Sequence, residues 1–173
     1  MNATCLALAF LALPLAAAAQ SAPPIDMGLW KTTSTTTITN LNLPPDVMAR
    51  LKAMGRDPGQ PPTMHMLACL TPEKWRQMFT HSSQNQNCTF SNVKESSTSL
   101  AGDVTCLGPK GQKTATGHMN MTFASRRQMH GTFHMEAPRP NQLEPMTTNT
   151  TFDGQYGGAD CQGIAPGASK LEQ

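Results

Sequence analysis

Apolar and polar residues alternate in short runs through the second half of the chain, and turn residues separate the runs. Two runs carry an apolar side chain at most second positions: Met119, Met121 and Phe123 in the first, and Met129, Phe133 and Met135 in the second. Successive side chains of a strand point to opposite faces, so this spacing predicts a hairpin that turns at 125–127 and directs these residues to a core. The polar residues between them are predicted to face water: His118, Asn120, Thr122, His130, Thr132 and His134.

Similar patterns predict strands at 29–38, 64–70, 88–95, 99–107, 113–124, 128–136 and 146–153. The first is dense in threonine, a β-branched residue that suits a half-exposed pleated surface. The segment from 88 onward is predicted to be a meander of antiparallel strands. The predicted fold is therefore mainly β, a curved antiparallel sheet or small open barrel with one or two short helices.

Two segments have helical spacing instead. Residues 44–55 combine an early proline, apolar residues at helical intervals and a terminal glycine. The segment that follows Thr71 has a threonine cap, a proline at the first position and an acid in the first turn. We expect Trp75, Met78 and Phe79 of this second helix to lie on one face, packed against the sheet.

An apolar run from Cys5 to Leu15 leads into four alanines, of which Ala17-x-Ala19 before Gln20 fits a cleavage site. This pattern predicts a signal peptide over 1–19, cleaved on export. The mature chain is then one β-rich domain over 20–173, with a proline-rich insert at about 41–62. No later run has the roughly 20 apolar residues that a spanning helix needs. The mature protein is therefore expected to be exported.

Export determines how the later cysteines are interpreted. In an oxidising compartment, Cys69, Cys88, Cys106 and Cys161 are expected to form two disulfides. Four cysteines allow three pairings, of which we favour Cys69 with Cys88 and Cys106 with Cys161, because this choice closes one loop locally and ties down the C-terminal segment. The spacing contains no C-x-x-C pair, which disfavours zinc.

Charge and motifs exclude several classes of function. The 13 basic and 11 acidic residues give a net charge of +2, so no electrostatic case exists for nucleic acid, and Arg126-Arg127 is interpreted as a polar turn. Ser91-x-x-Lys94 matches S-x-x-K but lies in a strand pattern, where residues three apart face opposite sides. No nucleophile elbow or phosphate loop occurs. We predict no catalytic residue, no cofactor and no resident metal.

Methionine is frequent beside histidine, as in Met64-His65-Met66 and His118-Met119. Thioether and imidazole both bind copper, which makes a copper-binding or oxidant-handling protein an alternative hypothesis. Strand geometry argues against it, because neighbouring residues point to opposite faces. A cross-strand pair such as His118 with His134 could still bring two imidazoles together.

Several motifs, in order, resemble a bacterial family catalogued as domain of unknown function 3617. They are Met27-Gly28-Leu29-Trp30, Cys69-Leu70-Thr71-Pro72-Glu73, Val104-Thr105-Cys106, Gly117-x-Met119-x-Met121, Gly131-Thr132-Phe133-x-Met135 and Gly158-Ala159-Asp160-Cys161. The resemblance covers about residues 25 to 163. It implies an exported protein of Gram-negative bacteria and supplies no catalytic residue. The sequence departs from the family pattern at Met27, at Lys31 and in the longer insert at 41–62.

These observations favour a non-enzymatic periplasmic domain, either structural or binding something apolar, with an apolar small molecule or another envelope protein as the partner. The copper or oxidant-handling alternative stays open. An enzyme with an unrecognised site is a second alternative. It would gain support if His118, His134 and Glu136 converged within hydrogen-bond reach in a pocket.

Overall fold

A computed structural model describes residues 22–41, 43–55, 60–80, 87–139 and 143–172. The predicted signal peptide lies outside the described residues. The helices are α1 (Pro45–Ala53) and α2 (Pro72–Thr80). The strands are β1 (Gly28–Thr39), β2 (Thr63–Leu70), β3 (Cys88–Glu95), β4 (Ser99–Leu107), β5 (Lys113–Ser125), β6 (Gln128–Ala137), β7 (Met146–Gly158) and β8 (Ser169–Leu171).

The eight strands form one antiparallel sheet in the order β3-β4-β5-β6-β7-β1-β2-β8. Strands β3 to β7 follow one another as a meander, and the hairpin of β1 and β2 joins the sheet beside β7. The sheet is open, with β3 and β8 at its edges. The predicted mainly β antiparallel fold with two short helices is confirmed. The alternation did not reveal β8, and β7 continues five residues beyond its predicted end.

Strand register assigns every strand side chain to one of two faces. The inner face carries Trp30, Met121 and Phe133, whereas the outer face carries His118 and His134. Met119 is paired with Phe133, and Phe123 is paired with Met129, so the predicted β5–β6 hairpin and its facing are confirmed.

The main core lies on the inner face over β4 and β5. Trp30 is fully buried, and Trp75, Leu100, Met119 and Met121 are buried with it. Helix α2 and the segment before β1 cover this part of the sheet through Trp75 and Ile25. Full burial of a large apolar side chain contributes about 1.5–3 kcal/mol, so these residues dominate the stability of the fold.

Helix α2 begins as its sequence predicts. The backbone N–H of Lys74 donates to Thr71 Oγ1 at 3.1 Å, which satisfies one of the unpaired groups of the first turn. Trp75 is buried and its indole N–H donates to Glu95 Oε1 at 3.0 Å, while Phe79 stacks edge-on against its ring. The prediction for Met78 was wrong, because its side chain is 38% exposed. Residue 78 lies three positions after Trp75 and falls at the margin of the buried stripe.

A second, smaller core occupies the outer face at one end of β1 and β2. Leu29 and Leu67 are buried there together with Cys69 and Ile164. Residues after β7 cover this cluster, and Cys69 forms a disulfide with Cys161. Gly28 and Gly158 allow the start of β1 and the end of β7 to approach closely. Both glycines have φ near +135°, and a side chain at Gly28 would overlap the carbonyl oxygen of Gly158.

All four cysteines are disulfide-bonded, as predicted, but the favoured pairing of Cys69 with Cys88 and Cys106 with Cys161 was wrong. The bridges are Cys69–Cys161 and Cys88–Cys106. Cys88 and Cys106 are directly opposite in the β3–β4 register, with their Cα atoms 3.8 Å apart. Strand β3 is one edge of the sheet and β2 lies next to the other edge, so Cys69 and Cys88 are near in sequence and separated by the width of the sheet.

The turn between β5 and β6 is clamped to the segment before β1. Asp26 accepts hydrogen bonds from Arg126 Nε at 2.8 Å and from Arg127 Nε at 3.0 Å. Arg126 also donates to the carbonyl oxygens of Pro23 and Ile25, and the guanidinium of Arg127 lies over the Tyr156 ring. The arginine pair that the sequence suggested was a simple polar turn therefore fixes the covering segment on the core.

Neither described helix has the length and apolar character that a membrane span requires.

Candidate functional site

The inner face is covered unevenly. Over β4 and β5 its side chains are mostly buried, as is Trp30 at one end of β1, whereas over β6, β7 and the rest of β1 the larger side chains are half-buried or exposed. We name this less covered region the open strip, and it comprises Phe133, Met135, Thr148, Thr150, Phe152, Ser34, Thr36 and Ile38. Ile38, at one end of the strip, is 41% exposed. The strip therefore presents one exposed apolar side chain, Ile38, and the partly exposed Phe133 and Phe152, which also pack against the core.

Two glycines allow large side chains to lie flat across the strip. A Cβ at Gly131 would overlap the ring of Phe152, which lies above that position from the neighbouring strand. A Cβ at Gly154 would likewise overlap the end of Met129. The side chains of Phe152 and Met129 therefore lie across a neighbouring strand instead of projecting from the sheet. This makes the surface flat and apolar, which suits contact with an extended or flat apolar molecule.

Hydroxyl groups run through the middle of this floor. Thr36 and Thr150 are paired in register, and their hydroxyl oxygens are 2.9 Å apart and hydrogen-bonded. Ser34 and Thr148 occupy the neighbouring inner-face positions on the same two strands. A ligand with an apolar body and a few polar atoms could therefore be oriented by these hydroxyls while the rings of Phe133 and Phe152 contact its apolar part.

The outer face has a different chemistry, since its polar side chains bond across the strands. Asp103 accepts a hydrogen bond from His118 Nδ1 at 2.7 Å, and Asn149 Oδ1 accepts one from His134 Nδ1 at 2.7 Å. His130 Nδ1 lies 2.8 Å from Asp153 Oδ1 in the same way. Every histidine among the described residues lies on this face, and each is bonded to a side chain of a neighbouring strand.

These bonds change the acidity of two groups. Hydrogen bonds from Asn92 and then His118 lower the pKa of Asp103 below its usual value. The hydrogen bond to Asn149, followed by the proximity of Glu136, raises the pKa of His134. Both groups are largely exposed, so these shifts describe a solvated polar network.

In the described part of the chain, the outer-face cluster is not arranged to hold a metal ion, and His118, His134 and Glu136 do not converge on one point. His118 and His134 are paired in register, yet their Nδ1 atoms bond in opposite directions, toward β4 and β7. His134 Nε2 lies 3.4 Å from Glu136 Oε1, while His118 bonds to Asp103 instead of joining them. Among the described residues, no three His, Cys, Asp or Glu side chains are arranged to hold a metal ion.

The methionines and histidines of the copper hypothesis are also separated. Met119 and Met121 are buried in the inner core, whereas His118 points to the outer face. A site that uses both residue types would have to reach through the sheet.

A comparison with family models gives one match over most of the chain. The matching family is described as "Protein of unknown function (DUF3617)", and it covers residues 23–161. The chain belongs to this family. The DUF3617 match includes the core of the sheet, the open strip and both disulfides, and it confirms the family resemblance inferred from the sequence motifs.

Other comparisons add little to the DUF3617 assignment. No curated protein matches the sequence. One solved structure, an S-type phycobiliprotein lyase CPES from Guillardia theta, is similar at 6% identity over 76% of this chain and 88% of that chain, with a TM-score of 0.28. That likeness carries no argument about this chain.

The open strip was not predicted from the sequence. The strand predicted at 146–153 contains the available signal, which is the period-two pattern of Thr148, Thr150 and Phe152. These three residues were not assigned to a common face. No sequence pattern predicts the uneven covering of the inner face, because this covering depends on where α2 and the segment before β1 pack.

Proposed function

We propose that this protein is exported to the periplasm and binds an apolar or amphipathic small molecule on the open strip. The observation that supports this proposal is the 41% exposure of Ile38, together with the partial exposure of Phe133, Met135 and Phe152, on a sheet face that continues into a closed core. Exposed apolar groups that adjoin a core and are interspersed with hydroxyls are typical of ligand-binding surfaces.

Two observations support the proposed export. The N-terminal sequence has the apolar run and small-residue site of a cleaved leader. The two disulfides fit an oxidising compartment, where such bonds persist. Both supports agree with the family resemblance.

A ligand-binding role is favoured over the other two hypotheses for separate reasons. Copper binding by joint methionine and histidine ligands conflicts with their placement on opposite faces. An enzyme would need polar groups that converge in a cleft, whereas His118, His134 and Glu136 lie on the open outer face with 48%, 48% and 51% of their side chains exposed.

The proposal predicts that the mature chain, residues 20–173, binds the apolar dye 1-N-phenylnaphthylamine, with a rise in dye fluorescence. Replacing Phe152 with serine should weaken binding by about tenfold or more, because an aromatic contact of roughly 1.5 kcal/mol or more is lost. Ile38→Ser tests the same strip at an exposed position that the core does not need.

The matched control is Leu107→Ser, which removes a side chain that is 41% exposed, like Ile38, but lies outside the strip. The control should bind the dye as the wild type does. The proposal fails if the wild type does not bind, or if Phe152→Ser and Ile38→Ser bind with unchanged affinity while their thermal unfolding shows intact folds. A purely structural role would give that outcome.

A further inference from the structure

Helix α1 lies in the insert between β1 and β2 and contributes nothing to the described core. None of its residues is buried, and it makes no extensive contact with another helix or strand among the described residues. A nine-residue helix without packing is marginal in water, because most helical stability in proteins comes from an apolar face that is covered. The sequence of α1 nevertheless has such a face.

The apolar residues of α1 form one stripe. At about 100° per residue, Val47, Met48, Leu51 and the C-cap Met54 fall within roughly a third of the helix circumference. Met54 is 66% exposed, and the other three are half-buried. This stripe is therefore unpartnered in the described part of the chain.

Basic residues border the stripe on both sides. Arg50 lies on one flank and Lys52 on the other, while Asp46, Ala49 and Ala53 occupy the opposite side of the helix. In this position the long side chains can bury their methylene groups at an apolar boundary and keep their charges in a polar layer. A helix with an apolar stripe and flanking cations is typical of segments that lie in the interface of an anionic membrane.

Other exposed apolar groups lie at the same end of the sheet. The insert is tied to the β6–β7 connection, because Asn40 Nδ2 donates to the carbonyl oxygen of Pro145 at 3.0 Å and Arg139 donates to the carbonyl oxygen of Asn40. Leu143, in that connection, is completely exposed. Glu144 beside it is acidic, so the attraction for an anionic surface must come from α1 itself.

We propose that α1 docks on an anionic lipid membrane surface by its apolar stripe, with Arg50 and Lys52 against the lipid phosphates. Charge complementarity favours a lipid surface over a neutral protein groove, because both cations border the stripe and the acid lies away from it. This inference does not depend on ligand binding by the open strip.

Vesicle co-sedimentation of the mature chain tests the proposal. We expect the wild type to bind vesicles of phosphatidylglycerol mixed with phosphatidylcholine, and to bind pure phosphatidylcholine much more weakly. The double variant Val47→Ser with Leu51→Ser should lose about tenfold or more in partitioning, because two apolar side chains leave the contact. Arg50→Gln with Lys52→Gln should abolish the preference for the anionic vesicles.

The matched control is Ala49→Ser with Ala53→Ser, on the opposite side of the same helix, which should bind as the wild type does. All three variants should unfold at the wild-type temperature, since α1 makes no extensive contact with another helix or strand among the described residues. The proposal is overturned if the wild type does not bind anionic vesicles, or if Val47→Ser with Leu51→Ser binds equally well. It is also overturned if sedimentation velocity shows a wild-type dimer that this double variant converts to a monomer, because the stripe would then contact a second copy. Dye binding by the same variants reports the open strip separately.

Discussion

Asp26 connects two parts of the chain that are 100 residues apart in sequence. Its carboxylate accepts one hydrogen bond from each of Arg126 and Arg127, at the turn that joins β5 to β6. The neighbouring residue Ile25 is fully buried over the inner face. The clamp therefore holds the covering segment on the core by charge-assisted bonds.

This clamp should make stability depend on pH in the acidic range. The hydrogen bond from Arg126, with a smaller contribution from Arg127, lowers the pKa of Asp26 below 3.8. A carboxyl group whose pKa is lower in the folded state stabilises the fold above its unfolded pKa, and that contribution disappears as pH falls through the folded value. Asp26→Asn should therefore lower the melting temperature at pH 7.

Melting curves of the wild type and Asp26→Asn between pH 2 and pH 7 check this prediction. The gap between the two melting temperatures should be widest at neutral pH and should close as the solution is acidified below about pH 4. A gap that stays constant through this range would mean that the carboxylate charge of Asp26 does not stabilise the fold.

At the scale of elements, both sheet edges are protected from pairing with another chain. The register of β3 is irregular between Ser91 and Lys94, where Asn92 has a left-handed backbone conformation with φ of 52°. The opposite edge, β8, has only three residues. A bulge with a neighbouring lysine and a very short edge strand both discourage edge-to-edge association.

The two disulfides join elements over very different chain lengths. Cys69–Cys161 spans 92 residues and fastens the C-terminal segment to β2, whereas Cys88–Cys106 spans 18 residues within one hairpin. In the chain-entropy description, closing these loops contributes about 4.6 and about 3.2 kcal/mol. The two bridges are similar in burial, because each joins one buried and one half-buried cysteine.

Removing the long-range bridge should therefore cost more. The double variant Cys69→Ala with Cys161→Ala is expected to lose about 1.5 kcal/mol more free energy of unfolding than Cys88→Ala with Cys106→Ala. Urea unfolding followed by circular dichroism measures both values. Equal losses, or a larger loss for the hairpin bridge, would show that local packing outweighs the constraint on the unfolded chain.

The sequence predicted strands well where one face is buried, as in β5 and β6, because the period of two is then visible in the residues. It failed where the outcome depends on contacts far apart in the chain. The disulfide pairing required the sheet order, and the partners of Asp26 lie 100 residues away. The open strip required the positions of α2 and Ile25, which no local pattern encodes.

At the scale of the whole molecule, the two faces of the sheet differ in what they can contact. The inner face passes from a closed core over β4, β5 and the Trp30 end of β1 to the open strip over β6, β7 and the rest of β1. Most of the outer face carries cross-strand polar bonds, apart from the small core at Leu29. The proposed binding of an apolar molecule depends on this difference between the two faces.

Native mass spectrometry of the protein purified from a periplasmic fraction is the most direct test of the proposed export and ligand binding. We expect a chain of residues 20–173 with two disulfides and a bound apolar molecule that organic solvent removes. Phe133→Ser with Phe152→Ser, purified in the same way and shown by circular dichroism to be folded, should lack that molecule. A wild-type spectrum with only the bare chain, or the same bound mass in the folded variant, would contradict the proposed binding of an apolar molecule on the open strip.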